Sequence, residues 1–201
     1  MNSIKQLSEK NRRLQKPVTG SAGIASAAMA IIIMLLFSFS TVLFLQGCSP
    51  KTPVKLYFAA YEDDKAYLQE EIRDIAGNGI LYKNIVKELI NGPRSGQLYP
   101  TLPPDAIVNS VTVENGLAVV DFSKEMLIST DKIPHSSTTE NLAIFSIVDT
   151  LTEFKEILKV RITIEGKQNG KIDGLYIEDF WGHIGIYEDF ERNEQIIELQ
   201  D

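Results

Sequence analysis

The feature that most constrains this chain is a stretch without charge from Pro17 to Gly47, within which Ile24 to Leu45 is almost wholly apolar. Twenty-two residues at about 1.5 Å rise each make a helix of roughly 33 Å, enough to cross the hydrocarbon core of a bilayer. Ahead of it stand five basic side chains (Lys5, Lys10, Arg12, Arg13 and Lys16) and a single acid, Glu9. That basic flank predicts a cytoplasmic start and export of everything that follows. Two outcomes remain open on this pattern. A signal anchor keeps its helix, whereas a signal peptide is removed after small or weakly polar residues.

The stretch closes on VLFLQGCSP, Val42 to Pro50, which holds the one cysteine of the 201-residue chain, Cys48. A single cysteine excludes an internal disulfide framework and a cysteine-rich zinc site. Leu45-Gln46-Gly47-Cys48 resembles the bacterial lipobox: an aliphatic residue, one variable position, a small residue, then an obligatory cysteine. Gln46 departs from the small or β-branched residue usual there. The resemblance implies cleavage after Gly47 and lipidation of Cys48, whose thiolate accepts the diacylglyceryl group while Gly47 lets a peptidase approach the backbone. Two palmitate-length chains, at about 0.8 kcal/mol per buried CH₂, hold a protein stably on a membrane. The expected organisation is a signal peptide over 1–47, with a basic region at 1–16, an apolar region at 20–45 and the lipobox at 45–48. A tether at 48–53, a domain at 54–186 and a polar tail at 187–201 follow.

Charge supports the same division. The chain carries 20 basic and 27 acidic side chains, and its net −7 separates into +4 for residues 1–47 and −11 for residues 48–201. A basic targeting segment ahead of an acidic exported domain accounts for this asymmetry. An acidic domain repels phosphate backbones, so nucleic acid is excluded as an expected partner. The 154 residues from Cys48 onward are enough for one domain with its own core.

Val54 to Ala60 alternates β-branched and aromatic residues and predicts a strand. Lys65 to Ile75 is open on spacing, since Leu68, Ile72 and Ile75 suit a helix, while Leu68 and Ile72 with their polar neighbours also suit a strand. Ile80 to Asn91 places Leu81, Ile85, Val86, Leu89 and Ile90 on one helical stripe, stopped by Gly92-Pro93. Asn115-Gly116 between Ile107–Glu114 and Leu117–Phe122 predicts a tight hairpin. Ser137-Thr138-Thr139-Glu140 has the form of a capping box and starts a helix with its seam on Ile144, Ile147, Val148, Leu151 and Phe154. Lys159 to Glu165 alternates as a strand, with Val160, Ile162 and Ile164 inward. The sum is an α+β domain with two helices on one face of a mixed, mainly antiparallel sheet.

Sites of chemistry are scarce in the sequence. His135 and His183 stand 48 positions apart without a His-x-x-x-His or cysteine partner, so no metal site is expected. His135 falls in a polar loop and is expected in solvent, and His183 beside Trp181 is expected packed or at the surface. Glu62-Asp63-Asp64, Glu70-Glu71, Glu178-Asp179 and Glu188-Asp189 raise the two-carboxylate hydrolase pattern. That pattern requires one acid raised by burial, and these groups read as a solvated face. Asp121, between Val120 and Phe122, is expected to cap the turn at Ser123-Lys124. Gly166 to Gly174 is glycine-rich but lacks phosphate-loop spacing. No catalytic residue and no cofactor is expected.

With these elements placed, the chain resembles a known family. Val86 to Met126, with its Gly92-Pro93 stop, Leu102-Pro103-Pro104, the Asn115-Gly116 hairpin and Val120-Asp121-Phe122-Ser123, is similar to the GerMN domain of sporulation and spore germination proteins. Asn141 to Lys167, including Thr150-Leu151-Thr152-Glu153-Phe154, is similar as well, and the likeness extends over about Val54 to Ile186. Gly182-His183 is present, but Ile184 and Gly185 follow where the family often has an acidic residue. The resemblance implies that Lys65 to Ile75 is a strand paired with the first, in a fold like that of ring-building modules. It implies a non-enzymatic protein of the envelope of a spore-forming bacterium, usually behind a lipoprotein signal. The partners so implied are the membrane through its lipid, other envelope proteins, and further copies of the chain as an oligomer or ring. An accessory role to a membrane sensor kinase and an envelope ligand-binding lipoprotein are the alternatives.

Overall fold

The computed structural model describes residues 50–77, 79–129 and 131–197. Gly47, Cys48 and the apolar run lie outside the described residues. The first two strands, β1 (Lys51–Glu62) and β2 (Lys65–Ala76), form an antiparallel hairpin whose register runs from Lys51 opposite Ala76 to Glu62 opposite Lys65. The two-residue turn puts Asp63 at φ 50°, a left-handed conformation that aspartate tolerates better than most side chains. Lys65 to Ile75 is therefore a strand, as the family resemblance implies, with Leu68 buried on one face and Arg73 and Ile75 on the other. β1 also starts inside the segment expected as tether, because Lys51 to Pro53 take ladder positions opposite Asp74 to Ala76.

Helix α1 (Leu81–Ile90) buries Ile85, Val86, Leu89 and Ile90. It stops where Gly92 turns to φ +78° and its N–H donates to Leu89 O at 3.1 Å. β3 (Val108–Glu114) and β4 (Leu117–Phe122) join through Asn115 and Gly116, both at positive φ (51° and 85°), which is the twist a two-residue hairpin needs. β5 (Lys159–Ile164) lies parallel to β4, so the sheet has order β3-β4-β5 and is mixed. The crossover between β4 and β5 carries α2 (Glu125–Ile128) and α3 (Ser137–Leu151). A short hairpin, β6 (Lys171–Ile172) with β7 (Leu175–Tyr176), and a 3₁₀ turn at Glu194–Ile196 complete the elements.

Both long helices touch the β1–β2 hairpin as well as the three-stranded sheet. Ala118, Val120 and Phe122 of β4 and Val160, Ile162 and Ile164 of β5 join Ile144, Ile147, Val148 and Leu151 of α3 and Leu56 and Phe58 of β1 in one core, all without exposed surface. Removing a side chain of that size from water contributes about 2 kcal/mol. The fold class is α+β with its helices on one face of a mixed sheet. Its strands are divided over three sheets rather than joined in one.

Two local expectations change. The N-cap of α3 is Ser136, one residue ahead of the expected box, and Thr139 completes the reciprocal bonds where a glutamate was expected to. The segment expected as a polar tail, 187–201, packs onto the domain through Ile197. Phe190 exchanges two 2.8 Å backbone hydrogen bonds with Val160, Ile196 is buried, and Ile197 bridges to Leu68. Three scattered apolar residues in a charged run show no periodicity, yet they cover parts of the free edges of β5 and β2.

Candidate functional site

Helix α3 carries two acids with no exposed surface, Glu140 and Asp149. Glu140, expected to close the capping box, instead points at the loop after Trp181. Its Oε2 accepts from His183 N and its Oε1 from Gly185 N, both at 2.8 Å. Asp149 accepts from Asn193 N at 2.9 Å through Oδ1, while its buried Oδ2 has no hydrogen-bond partner. Burial pushes the Asp149 carboxyl up to about 7, against the opposing pull of the Asn193 N–H and the nearby Arg192 charge. Arg192 donates to Asp149 O at 2.8 Å and to the Tyr57 hydroxyl at 3.0 Å, and pairs with Glu153 at 2.8 Å. Tyr57 in turn donates to Glu153 at 2.7 Å, and burial pushes its hydroxyl up to about 12.

The two histidines come to the same neighbourhood. His135 is half-buried rather than solvated, because its ring stacks on Trp181 at 4.4 Å and 9°. Burial lowers its pKa; Glu140 pulls it up and His183 lowers it further. Trp181 donates to Met126 O at 2.9 Å and stacks on Phe180, so the loop is fixed from both sides. His183 itself is exposed. Among the described residues no group of three His, Cys, Asp or Glu side chains is placed to hold a metal ion.

Asp121 does not cap its own turn. It accepts from Thr163 Oγ1 at 2.8 Å, Gly166 N at 2.6 Å and Asn109 Nδ2 at 2.9 Å, tying β4 to β5, to the turn after it, and to β3. Of the paired acids, Glu62, Asp63, Asp64 and Glu188 are exposed, as a solvated face requires, but others are engaged. Burial works to raise Glu71, but the Ser95 N–H, the Arg73 guanidinium and the Arg94 N–H outweigh it and hold it low. Asp189 takes both bonds of the Arg161 fork at 2.6 and 2.8 Å, Glu178 accepts from Gly170 N at 2.8 Å, and Asp179 accepts from Tyr187. Each of these acids is committed to holding a loop or an edge.

What the surface offers instead is aromatic. Tyr61 and Tyr99 are 48% and 52% exposed and meet edge to face at 5.2 Å and 72°. Tyr99 is placed there by two backbone hydrogen bonds with Ala59 on the outer edge of β1 (3.2 and 2.8 Å). Beside the pair lies a cavity of about 200 Å³ floored by Ala59, Ile133 and Leu142 and flanked by Pro100, Pro134 and Lys132. Its two tyrosines lie 38 positions apart in sequence, so no local pattern announces the site. Gly47 and Cys48, the expected cleavage and lipidation positions, lie outside the described residues.

Geometry of this kind defines an α+β domain whose buried acids are engaged by its own loops and which carries an apolar, aromatic cleft at the edge of β1. The Germane family, described as sporulation and spore germination, matches residues 55–170, more than half of the chain, and the chain belongs to that family. Among solved structures it is similar to the tandem GerMN domains of the sporulation protein GerM from Bacillus subtilis, at 21% identity and a TM-score of 0.55, over 77% of this chain and 50% of that one. It is similar too to the first GerMN domain of the same protein, at 23% identity and a TM-score of 0.52, over 70% of this chain and 98% of that one. The chain thus spans about half the length of the tandem. Among curated proteins none matches. No described helix is long and apolar enough to cross a membrane.

Proposed function

We propose that this chain is a lipid-anchored, extracytoplasmic assembly module of the bacterial envelope, acting in sporulation or germination through protein–protein contact and without catalysis. The observation that carries the reading is the contrast between engaged acids and an exposed aromatic pair. Glu140, Asp121 and Glu71 each accept hydrogen bonds from the domain's own backbone, while Tyr61 and Tyr99 stand half-exposed at an apolar cleft. Tyrosine is enriched where proteins bind proteins, because it adds apolar area at low entropic cost and keeps a hydroxyl for a partner. Family membership supports the biological setting, and the lipobox-like Leu45 to Cys48 supports the anchor.

A photo-crosslinking residue placed at Tyr99 in living cells tests this, with exposed Lys155 as control position. The expected result is a discrete crosslinked protein at 99, absent at 155 and weakened by Tyr61→Ala. The same bands at both positions, during growth and sporulation alike, would sink the reading.

A further inference from the structure

We infer that the end of the domain where the chain leaves its signal segment, marked by Pro50, Lys51, Gly77, Ile80 and Lys83, lies directly against the lipid headgroups. This rests on the reading that Cys48 is acylated. The first support is the length of chain between lipid and fold. Gly77 N donates to Pro50 O at 3.2 Å, so Pro50 already belongs to the domain. Cys48 to Pro50 is two residues, which reach at most about 7 Å when extended. A lipid on Cys48 therefore holds Pro50 at the headgroup layer, with no leash on which the domain could swing away.

The same end presents chemistry suited to that layer. Ile80 N donates to Gly77 O at 3.2 Å and Asn84 Nδ2 to Ala76 O at 3.0 Å, so the first turn of α1 is fixed beside Pro50. Ile80 is 50% exposed there. Lys51 is exposed, and Lys83 reaches Asn109 O at 2.8 Å on the neighbouring strand. The one exposed acid on the adjoining strand end is Asp74. At the opposite end of the hairpin Glu62, Asp63 and Asp64 are exposed beside a single exposed base, Lys65, so that tip is acidic on balance. The 12 residues of β1 put that tip roughly 36 Å away, at about 3.3 Å per residue. Anionic headgroups attract the lysines and repel the acidic tip, and an exposed apolar side chain such as Ile80, one helical turn from Lys83, sits well at the interface. Leash length and charge polarity are independent observations, and both turn the same end toward the bilayer.

The test uses the full lipidated protein in vesicles of phosphatidylglycerol and phosphatidylethanolamine in equal parts, some carrying a nitroxide on the headgroup. Because acylation consumes the only native thiol, a fluorophore attached to Lys51→Cys, Ile80→Cys or Asp64→Cys reports one position at a time. Quenching at 51 and 80 is expected to exceed that at 64 by about three-fold or more, and to fall when a flexible ten-residue insert follows Ser49. Acylated Cys48 with equal quenching at the three positions would overturn the proposed face alone. A Cys48 peptide without acyl mass would overturn the anchor, and the proposal with it.

Discussion

Glu140 and Asp149 lie nine positions apart on one helix, and neither has exposed surface. They differ in how many donors meet them. Each oxygen of Glu140 accepts a backbone N–H, whereas Asp149 has one oxygen bonded and one without a partner. The first arrangement locks the 182–185 loop to the start of α3; the second leaves a buried polar group whose desolvation is only partly offset. Burial alone therefore does not decide what an acid does to a fold. The number of donors brought to it does.

The largest expected effect breaks the satisfied member of the pair. Glu140→Gln places an amide N–H₂ against a backbone N–H and leaves that donor buried without an acceptor, which costs about 4 kcal/mol. Urea unfolding measures the loss, and amide exchange should accelerate first at His183 and Gly185. A change below about 1 kcal/mol would mean that the loop does not depend on Glu140.

The loop side of the same contact gives the next largest effect. Gly185 sits at φ +79°, where an added Cβ would collide with the Tyr187 ring and stand 2.6 Å from Glu178 O. Gly185→Ala should cost about 3 kcal/mol through backbone strain and overpacking. Combining it with Glu140→Gln should cost less than the sum, because both disturb one contact. Strict additivity in the double-mutant cycle would show that the two residues act separately.

Asp149 sharpens the comparison through pH. Its carboxyl holds a proton up to about pH 7 in the fold but releases it near the ordinary 3.8 when unfolded. Between those values the native state binds the extra proton. Its stability is therefore full below about pH 4, falls as pH rises toward 7, and then levels. Arg192 and the Asn193 N–H oppose the shift while Glu194 and Glu153 reinforce it. Asp149→Asn keeps an oxygen for Asn193 N and removes the ionisation, so its advantage over the native chain should grow by about 2 kcal/mol from pH 5 to pH 8. Parallel stability curves for the two proteins would rule out titration of Asp149 in that window.

The parts of the fold that were legible in sequence are those fixed by local backbone chemistry. Asn115-Gly116 predicts its hairpin because both residues accept positive φ, and Gly92-Pro93 stops α1 where the stripe of Ile85, Val86, Leu89 and Ile90 ends. The candidate site was not legible, for reasons of distance. Tyr61 and Tyr99 meet only because a backbone bridge brings Tyr99 to the edge of β1. Asp121 finds its partners on β3, on β5 and at Gly166, not in its own turn. Lys65 to Ile75 needed the family resemblance, since its apolar spacing satisfies two periods at once.

The smallest effect separates two roles that the sequence merged. Ser136 and Ser137 are both capable caps, and Thr139-Glu140 offers two side chains for the third position, so the box can be drawn in either of two frames. In the structure Ser136 Oγ accepts from Thr139 N at 3.2 Å, and Thr139 Oγ1 accepts from Ser136 N at 2.9 Å, which frees Glu140 for the loop. Ser136→Ala should then cost about 1 kcal/mol, against about 4 for Glu140→Gln, and leave amide exchange at His183 and Gly185 unchanged. Ser137→Ala, on an exposed position one residue inside the helix, should cost a few tenths of a kcal/mol at most. If Ser137→Ala proved the costlier of the two serine changes, the cap would lie one residue later. Glu140 would then return to the capping role, and its difference from Asp149 would need another cause.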